Sequence, residues 1–245
     1  MKDSDREALP AALRNAIRRD LAPVKPFASP SRRALALAVP AALVLLAMVA
    51  VFAKGNFARP TTLSGFGVSV LEWLAGFALL WLALREAAPG LGIGRTRAFA
   101  ALISGITLQL LLGLLVWQRS GASLSGSAAA AAGRQCASIA GAIGLPHLAI
   151  AIWLASRALP IRPRWSGALA GAAAGLLADA IWHLACTRND LEHLLVWHGG
   201  ATVAMTLLGG IAGSFLPKRF LVDRPGTSPA RLPPGTADEH AGDRR

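Results

Sequence analysis

Six long apolar stretches, each roughly as long as a bilayer is thick, restrict what this chain can fold into. They lie at about residues 34–53, 66–84, 98–117, 137–156, 166–184 and 194–216. About 20 residues of helix, rising 1.5 Å each, cross the ~30 Å hydrocarbon core, where backbone amides have only each other to bond. A hydrophobic content of 54% and a mean hydropathy of +0.49 exclude an ordinary soluble globule. The sequence therefore predicts an all-α polytopic membrane protein with six transmembrane helices.

The positions of lysine and arginine predict the orientation of these helices. Six crossings place both chain ends on one side, and that side carries 20 of the 25 basic residues. Because cytoplasmic connections are enriched in Lys and Arg, both termini are predicted to be cytoplasmic. In a soluble protein, the formal charge of +12 would point to nucleic acid, but no basic patch interleaved with aromatic residues accompanies it. We therefore expect lipid, and not nucleic acid, to be in direct contact with the chain.

The polar segment before the first apolar stretch carries an apolar stripe at every fourth position, namely Leu9, Leu13, Ile17 and Leu21. This spacing puts the stripe on one face of a helix, which Pro23 would end. A helix this short is marginal alone in water, so the stripe must lie on the membrane, fold back or bind a partner. We divide the chain into a cytoplasmic tail at 1–33, a transmembrane domain at 34–217 and a disordered, proline-rich cytoplasmic tail at 218–245.

Reactive side chains gather at the ends of the apolar stretches that are predicted to face away from the cytoplasm. These are Cys136, Asp179, His183, Cys186, His193 and His198. Asp179, His183 and Cys186 follow at i, i+4 and i+7 on one face of the fifth stretch. His198 lies one turn into the sixth stretch, and His193 is expected in the loop before it. The sequence therefore predicts one polar cluster on the side opposite the termini.

Three interpretations of the two cysteines remain open. In an oxidising compartment, Cys136 and Cys186 could form a disulfide. Alternatively, their thiolates could bind a soft or borderline metal ion such as Zn²⁺, together with His183, His193 or His198. In the third interpretation the cysteines are ordinary buried residues and the polar groups bond between helices. We therefore expect either no cofactor or a transiently bound metal ion.

Catalytic motifs do not accompany these groups. The sequence contains no GxSxG, HExxH or Walker motif in the strand and helix context that such motifs need, so an enzyme is not expected. Glu72 and His147 lie inside the second and fourth stretches, where ionisable groups are costly and often functional. They would suit a transporter of a small solute or metal ion, although no internal repeat of the kind common in transporters is evident. Transport is therefore the alternative function.

Two further patterns concern packing and connections. Glycines recur every fourth position in the fifth stretch, at Gly167, Gly171 and Gly175, and are also dense in the sixth. Small residues at this spacing predict a close helix–helix seam between these two stretches. The Ser-, Gly- and Ala-rich segment at 118–135 predicts a flexible loop.

Three groups of residues share their order and topology with a known family. The first group is Leu13, Ile17, Asp20, Pro23, Val24 and Pro26 in the N-terminal tail. The second is Cys136 with Pro146 and the basic connection at Ile161–Trp165, and the third is Asp179–Cys186 with Trp197 and His198. Together they cover about residues 10–217 and resemble the NrsF family, negative regulators of sigma F, which are six-span membrane anti-sigma factors of Proteobacteria.

This resemblance implies a partner and a signal. The partner is an extracytoplasmic-function sigma factor, held at the bacterial inner membrane by the N-terminal tail through Leu9, Leu13, Ile17, Leu21, Pro23 and Val24. The signal is a heavy metal or an oxidant, sensed by Cys136 and Cys186 on the periplasmic side. The oligomeric state is not indicated by the sequence.

Overall fold

A computed structural model describes residues 15–16, 28–56, 60–120, 127–158, 160–186 and 188–216, and their regular secondary structure is helical throughout. The helices are α1 (Pro30–Asn56), α2 (Pro60–Ala87), α3 (Arg95–Ser120), α4 (Ser127–Ser156), α5 (Pro163–His183) and α6 (Gly200–Ser214). A π-helical segment, His193–Gly199, leads directly into α6. The all-α prediction is confirmed. The predicted partner-binding residues Leu9, Leu13, Ile17, Leu21, Pro23 and Val24 lie outside the described residues.

Five of the six predicted crossings correspond to helices that are long and apolar enough to span a membrane. These spans are Pro30–Ala47, Phe66–Ala87, Arg95–Arg119, Ala130–Ser156 and His193–Ser214. The exception is α5, which coincides with the fifth predicted crossing. Its sequence is rich in alanine and glycine and carries Arg164, Asp179 and His183, so no 18-residue window of it is as hydropathic as the spans of the other five helices.

The position of α5 explains this composition. It packs against each of the other five helices, and 17 of its 21 residues are buried. Because protein and not lipid surrounds α5, small residues that allow close packing serve it better than large apolar ones. The remaining helices carry large apolar side chains on their outer faces, including Leu43, Leu46, Leu111, Trp153 and Leu207. Such extensive apolar exposure is typical of a surface that faces lipid.

The glycines of α5 lie in the predicted seam. A Cβ atom added to Gly171 would lie 2.1 Å from the carbonyl oxygen of Met205 in α6. One added to Gly209 of α6 would lie 2.2 Å from the carbonyl oxygen of Gly167. The two backbones are therefore in direct contact, which only glycine permits. The predicted seam between the fifth and sixth stretches is confirmed.

Basic residues form hydrogen bonds and an ion pair between helices at one end of the bundle. The buried Arg33 of α1 donates from Nη1 to the carbonyl oxygen of Leu154 at 2.9 Å. The carboxylate of Glu86 accepts the N–H of Ile93 at 2.6 Å and pairs with Arg162 at 3.3 Å. These contacts join α1, α2, α4 and α5. We call this the arginine end, and the opposite end, where α4 begins and α5 finishes, the thiol end.

The connection between α3 and α4 is more helical than the sequence predicted. A flexible loop was expected over 118–135, but α3 continues to Ser120 and α4 already begins at Ser127. The loop prediction is wrong at both ends. The physical reason is the alanine run Ala128–Ala132, because alanine has the highest intrinsic helix propensity.

Candidate functional site

The two cysteines meet at the thiol end of the bundle. Cys136 lies in the third turn of α4. Cys186 follows the end of α5 by three residues, and its N–H donates to the carbonyl oxygen of Trp182 at 3.0 Å. Their Sγ atoms are 3.7 Å apart, and both residues are free thiols and partly buried. Residues that are 50 positions apart in the chain are thus brought into contact by the packing of α4 against α5.

Two histidines of the π-helical segment face these thiols. The Nε2 atom of His193 is 3.4 Å from Sγ of Cys186, and the ring centroids of His193 and His198 are 5.1 Å apart. In an α-helix, residues five apart point in directions that differ by about 140°. A π-helix bonds residue i to i+5 and so brings such residues to the same side. The π-helical geometry therefore allows both rings to reach the cysteines.

The start of this segment differs from the prediction. His193 was expected in a loop, but it is the first residue of the π-helical segment. Asp190 stabilises this start, because its Oδ1 atom accepts the backbone N–H of His193 at 2.9 Å. A carboxylate just before a helix satisfies amides that have no partner within the helix.

Asp179 connects the cluster to the interior of the bundle. It is only 2% exposed, and its Oδ1 atom accepts a hydrogen bond from Nδ1 of His198 at 2.5 Å. Its Oδ2 atom accepts one from Nε2 of Gln109 in α3 at 2.6 Å. With a proton on Nδ1, neutral His198 carries its lone pair on Nε2. That Nε2 atom is buried and has no hydrogen-bond partner among the described residues.

Two sets of side chains within the described residues are close enough to hold a metal ion. In the first, the ligand atoms of Cys136, Cys186, His193 and His198 all lie within 4.8 Å of one another. The second contains Asp179 and His183, again with His198. The structure thus separates His183 from the cysteines, with which the sequence had grouped it.

Two deeper ionisable residues occupy different environments. Glu72 of α2 is 1% exposed and interacts with Asp179, while its Oε2 atom has no hydrogen-bond partner among the described residues. The Nδ1 atom of His147 is 2.7 Å from the carbonyl oxygen of Ile143, one turn earlier in the same helix. Glu72 therefore belongs to the buried polar network around Asp179, whereas His147 belongs to neither metal-competent set.

Sequence reasoning did not single out two residues that support the site, Gln109 and Asp190. Gln109 is a buried amide within an otherwise apolar run, which was the available signal. Asp190 could have been recognised as an acidic residue just before a helical segment. Neither signal reveals what the side chain bonds to. The partner of Gln109 lies in another helix, and that of Asp190 depends on where the helical segment begins.

Comparisons with known proteins point to one family. The family model described as "Negative regulator of sigma F" matches residues 18–218. Anti-sigma-F factor NrsF of Caulobacter vibrioides (strain NA1000 / CB15N) is 30% identical over 83 residues. That match covers 34% of this chain and 39% of the Caulobacter protein, so it spans well under half of that relative. No solved structure matches this chain.

Proposed function

The chain belongs to the family of negative regulators of sigma F, and from this membership we propose that it is a membrane-bound anti-sigma factor. It holds an extracytoplasmic-function sigma factor at the bacterial inner membrane. It releases this partner when a heavy metal or an oxidant acts on Cys136 and Cys186 from the periplasm. The observation that carries the proposal is the family match over residues 18–218, which includes the whole described bundle. We expect regulation by binding, without catalysis.

The proposed topology has six crossings, with α5 as the fifth. Its 21 residues extend about 31 Å at 1.5 Å per residue, which is enough to cross the hydrocarbon core. Its burial among the other five helices supports a crossing despite its lower hydropathy. The excess of basic residues supports an orientation with the arginine end and both termini in the cytoplasm and the thiol end in the periplasm.

Thiol labelling tests this topology. We expect a membrane-impermeant maleimide to label Cys136 and Cys186 in cells whose inner membrane is intact. The control is a variant with both cysteines replaced by serine and a single new thiol in the C-terminal tail, His240→Cys. This thiol should be labelled only after the inner membrane is permeabilised. Labelling of the native cysteines only after permeabilisation would contradict the proposed orientation.

The N-terminal stripe supplies the proposed contact with the sigma factor. Leu9, Leu13, Ile17 and Leu21 share one face of the predicted helix. An amphipathic helix commonly binds a protein partner by laying such a face into an apolar groove. Pro23 and Val24 follow the stripe and extend the proposed contact towards the membrane.

Charge substitutions in the stripe test this contact in the full-length protein. We expect the double variant Leu13→Asp with Ile17→Asp to retain at least about 100-fold less sigma factor, because burying two large apolar side chains contributes about 3 kcal/mol or more. The measurement is co-purification from membranes of cells that co-express an extracytoplasmic-function sigma factor of the host. A reporter gene dependent on that sigma factor should become constitutively active.

A matched control adds the same negative charge on the opposite face of the predicted helix. Ala11→Asp with Asn15→Asp keeps the four-residue spacing but leaves the stripe intact, so sigma-factor retention should stay near wild type. Equal loss in both double variants would mean that charge, and not the stripe, controls binding. If the wild-type chain retains no sigma factor, the anti-sigma proposal fails and the transport alternative gains support.

The central position of α5 offers a route from the thiols to the cytoplasmic side. A chemical change at Cys136 and Cys186 acts on α4 and on the end of α5, and α5 contacts every other helix. A signal can shift the equilibrium between two helix arrangements only if it interacts more strongly with one of them. We propose that the signal-bound arrangement is the one with low affinity for the sigma factor.

A further inference from the structure

We infer that Cys136, Cys186, His193 and His198 form a four-ligand site for a divalent cation of the zinc group, Zn²⁺ or Cd²⁺. Asp179 is the positioning residue that orients His198. The inference rests on the proposed function for its biological role, since it names the ligand set on which a heavy-metal signal acts. The coordination chemistry itself rests on the geometry of the thiol end.

Two distances in the cluster match the edges of a tetrahedral site. With metal–sulfur bonds of about 2.3 Å and metal–nitrogen bonds of about 2.0 Å, two sulfur atoms lie about 3.8 Å apart, and sulfur and nitrogen about 3.5 Å apart. The Sγ atoms of Cys136 and Cys186 are separated by 3.7 Å, and Nε2 of His193 lies 3.4 Å from Cys186. Two thiolates and two imidazoles are a common ligand set for zinc.

The bond between Asp179 and His198 prepares the fourth ligand. Metal-binding histidines usually donate their second ring N–H to a carboxylate or carbonyl oxygen, which fixes both the tautomer and the ring orientation. Here Nδ1 of His198 donates to Asp179 at 2.5 Å, and the opposite Nε2 atom is buried and has no hydrogen-bond partner within the described part of the chain. Gln109 donates to the second carboxylate oxygen and so holds Asp179 itself in place.

The alternative set of Asp179, His183 and His198 is less suited to a metal. Binding there through Nδ1 of His198 would break the hydrogen bond between that histidine and Asp179. The thiol set breaks no such bond, and its soft sulfur ligands exclude Ca²⁺ and Mg²⁺, which prefer oxygen. His183 should therefore be dispensable for metal binding.

Binding also has a mechanical consequence for the bundle. Each cysteine loses its thiol proton as its sulfur bonds to the metal, so two protons leave if both are thiols at rest. The widest separation between ligand atoms is at most 4.8 Å, which must shorten by up to about 1.5 Å in a tetrahedral site. The metal therefore draws α4, the end of α5 and the π-helical segment together.

Titration of the purified full-length protein with Cd²⁺ or Co²⁺ tests this inference. The protein is kept in detergent, reduced and free of other metals. We expect one Cd²⁺ per chain, with thiolate-to-metal charge-transfer absorption in the near ultraviolet. Bound Co²⁺ should show the intense visible bands of tetrahedral coordination, and a weak octahedral spectrum would overturn the ligand set.

Single variants assign the ligands and the positioning residue. Asp179→Asn should weaken Cd²⁺ binding by about 10- to 100-fold, as expected for the partner of a metal-bound histidine. His193→Ala and His198→Ala should weaken it at least as strongly and change the Co²⁺ spectrum. His147→Ala, a histidine in the same bundle but outside both sets, and His183→Gln should leave binding unchanged.

Failure of the inference can be distinguished from failure of the proposed function. Wild-type affinity in both histidine variants, with unchanged Co²⁺ spectra, would mean that the metal binds the thiols alone and would overturn the four-ligand site. Retention of the sigma factor by the metal-free wild-type chain is measured separately by co-purification. Retention without metal binding overturns the site alone, whereas metal binding without retention overturns the anti-sigma proposal alone.

Discussion

Adding one methyl group to Gly171 is expected to destabilise the helical bundle by about 3 kcal/mol. The new Cβ atom of a Gly171→Ala variant would lie 2.1 Å from the carbonyl oxygen of Met205 and 2.8 Å from its carbonyl carbon. Backbone atoms cannot rotate away as a side chain can, so α5 and α6 have to separate along their whole seam. The expected result is a large fall in the thermal unfolding temperature of the detergent-solubilised protein and in its level in membranes.

Gly200→Ala provides the matched control for this substitution. Gly200 is also a helical glycine, at the start of α6, but a Cβ atom there meets no other atom within 4 Å. Its replacement should be neutral or add a few tenths of a kcal/mol, because alanine favours a helix over glycine by up to about 1 kcal/mol. If the two variants unfold at the same temperature, close backbone contact at Gly171 does not limit stability.

Replacing either cysteine by serine is expected to abolish the response to the proposed signal. A serine hydroxyl is neither a soft metal ligand nor able to form a disulfide, so Cys136→Ser and Cys186→Ser should each remove the chemistry of the thiol end. The measurement is transcription from a promoter that depends on the sigma factor, in cells exposed to Cd²⁺ or an oxidant. Wild-type cells should be induced and both variants should stay at the uninduced level.

The control must separate a lost response from a misfolded protein. Ala137→Ser introduces the same hydroxyl one residue further along α4 while keeping both thiols, and it should respond normally. Both cysteine variants should still repress the sigma factor in unexposed cells, because the proposed contact lies in the N-terminal tail. Normal induction in both would leave the thiols with a purely structural role.

The same chemistry separates the metal and oxidant forms of the signal. A metal needs the imidazoles of His193 and His198 in addition to the thiols, whereas a disulfide needs only the two sulfur atoms. The histidine variants should therefore lose the response to Cd²⁺. If they also lose the response to an oxidant to the same degree, the histidines act on the thiols and not only as metal ligands.

Helical class and the number of apolar stretches could be read from the sequence because hydropathy is a local property. The lower hydropathy of α5 has a tertiary cause. A helix that packs against five others needs small residues for close contact. Its Gly167, Gly171 and Gly175 indicated this close packing in the sequence. The alanine run Ala128–Ala132 favours a helix by its intrinsic propensity, but its small, polar neighbours favoured a loop prediction over 118–135.

Local spacing also predicted which residues share one end of the bundle. Cys136 lies at the start of one apolar stretch and Cys186 at the end of the next, so both face the same side, and the histidines lie nearby. Spacing along a chain cannot give distances between helices, because those depend on how the helices rotate and approach. Packing alone decided that the two sulfur atoms are 3.7 Å apart and that Asp179 bonds to His198. The five-residue spacing of His193 and His198 likewise did not predict that their rings share one side. In an α-helix this spacing would place the two rings on different faces, and it is the π-helical geometry that turns them to the same side.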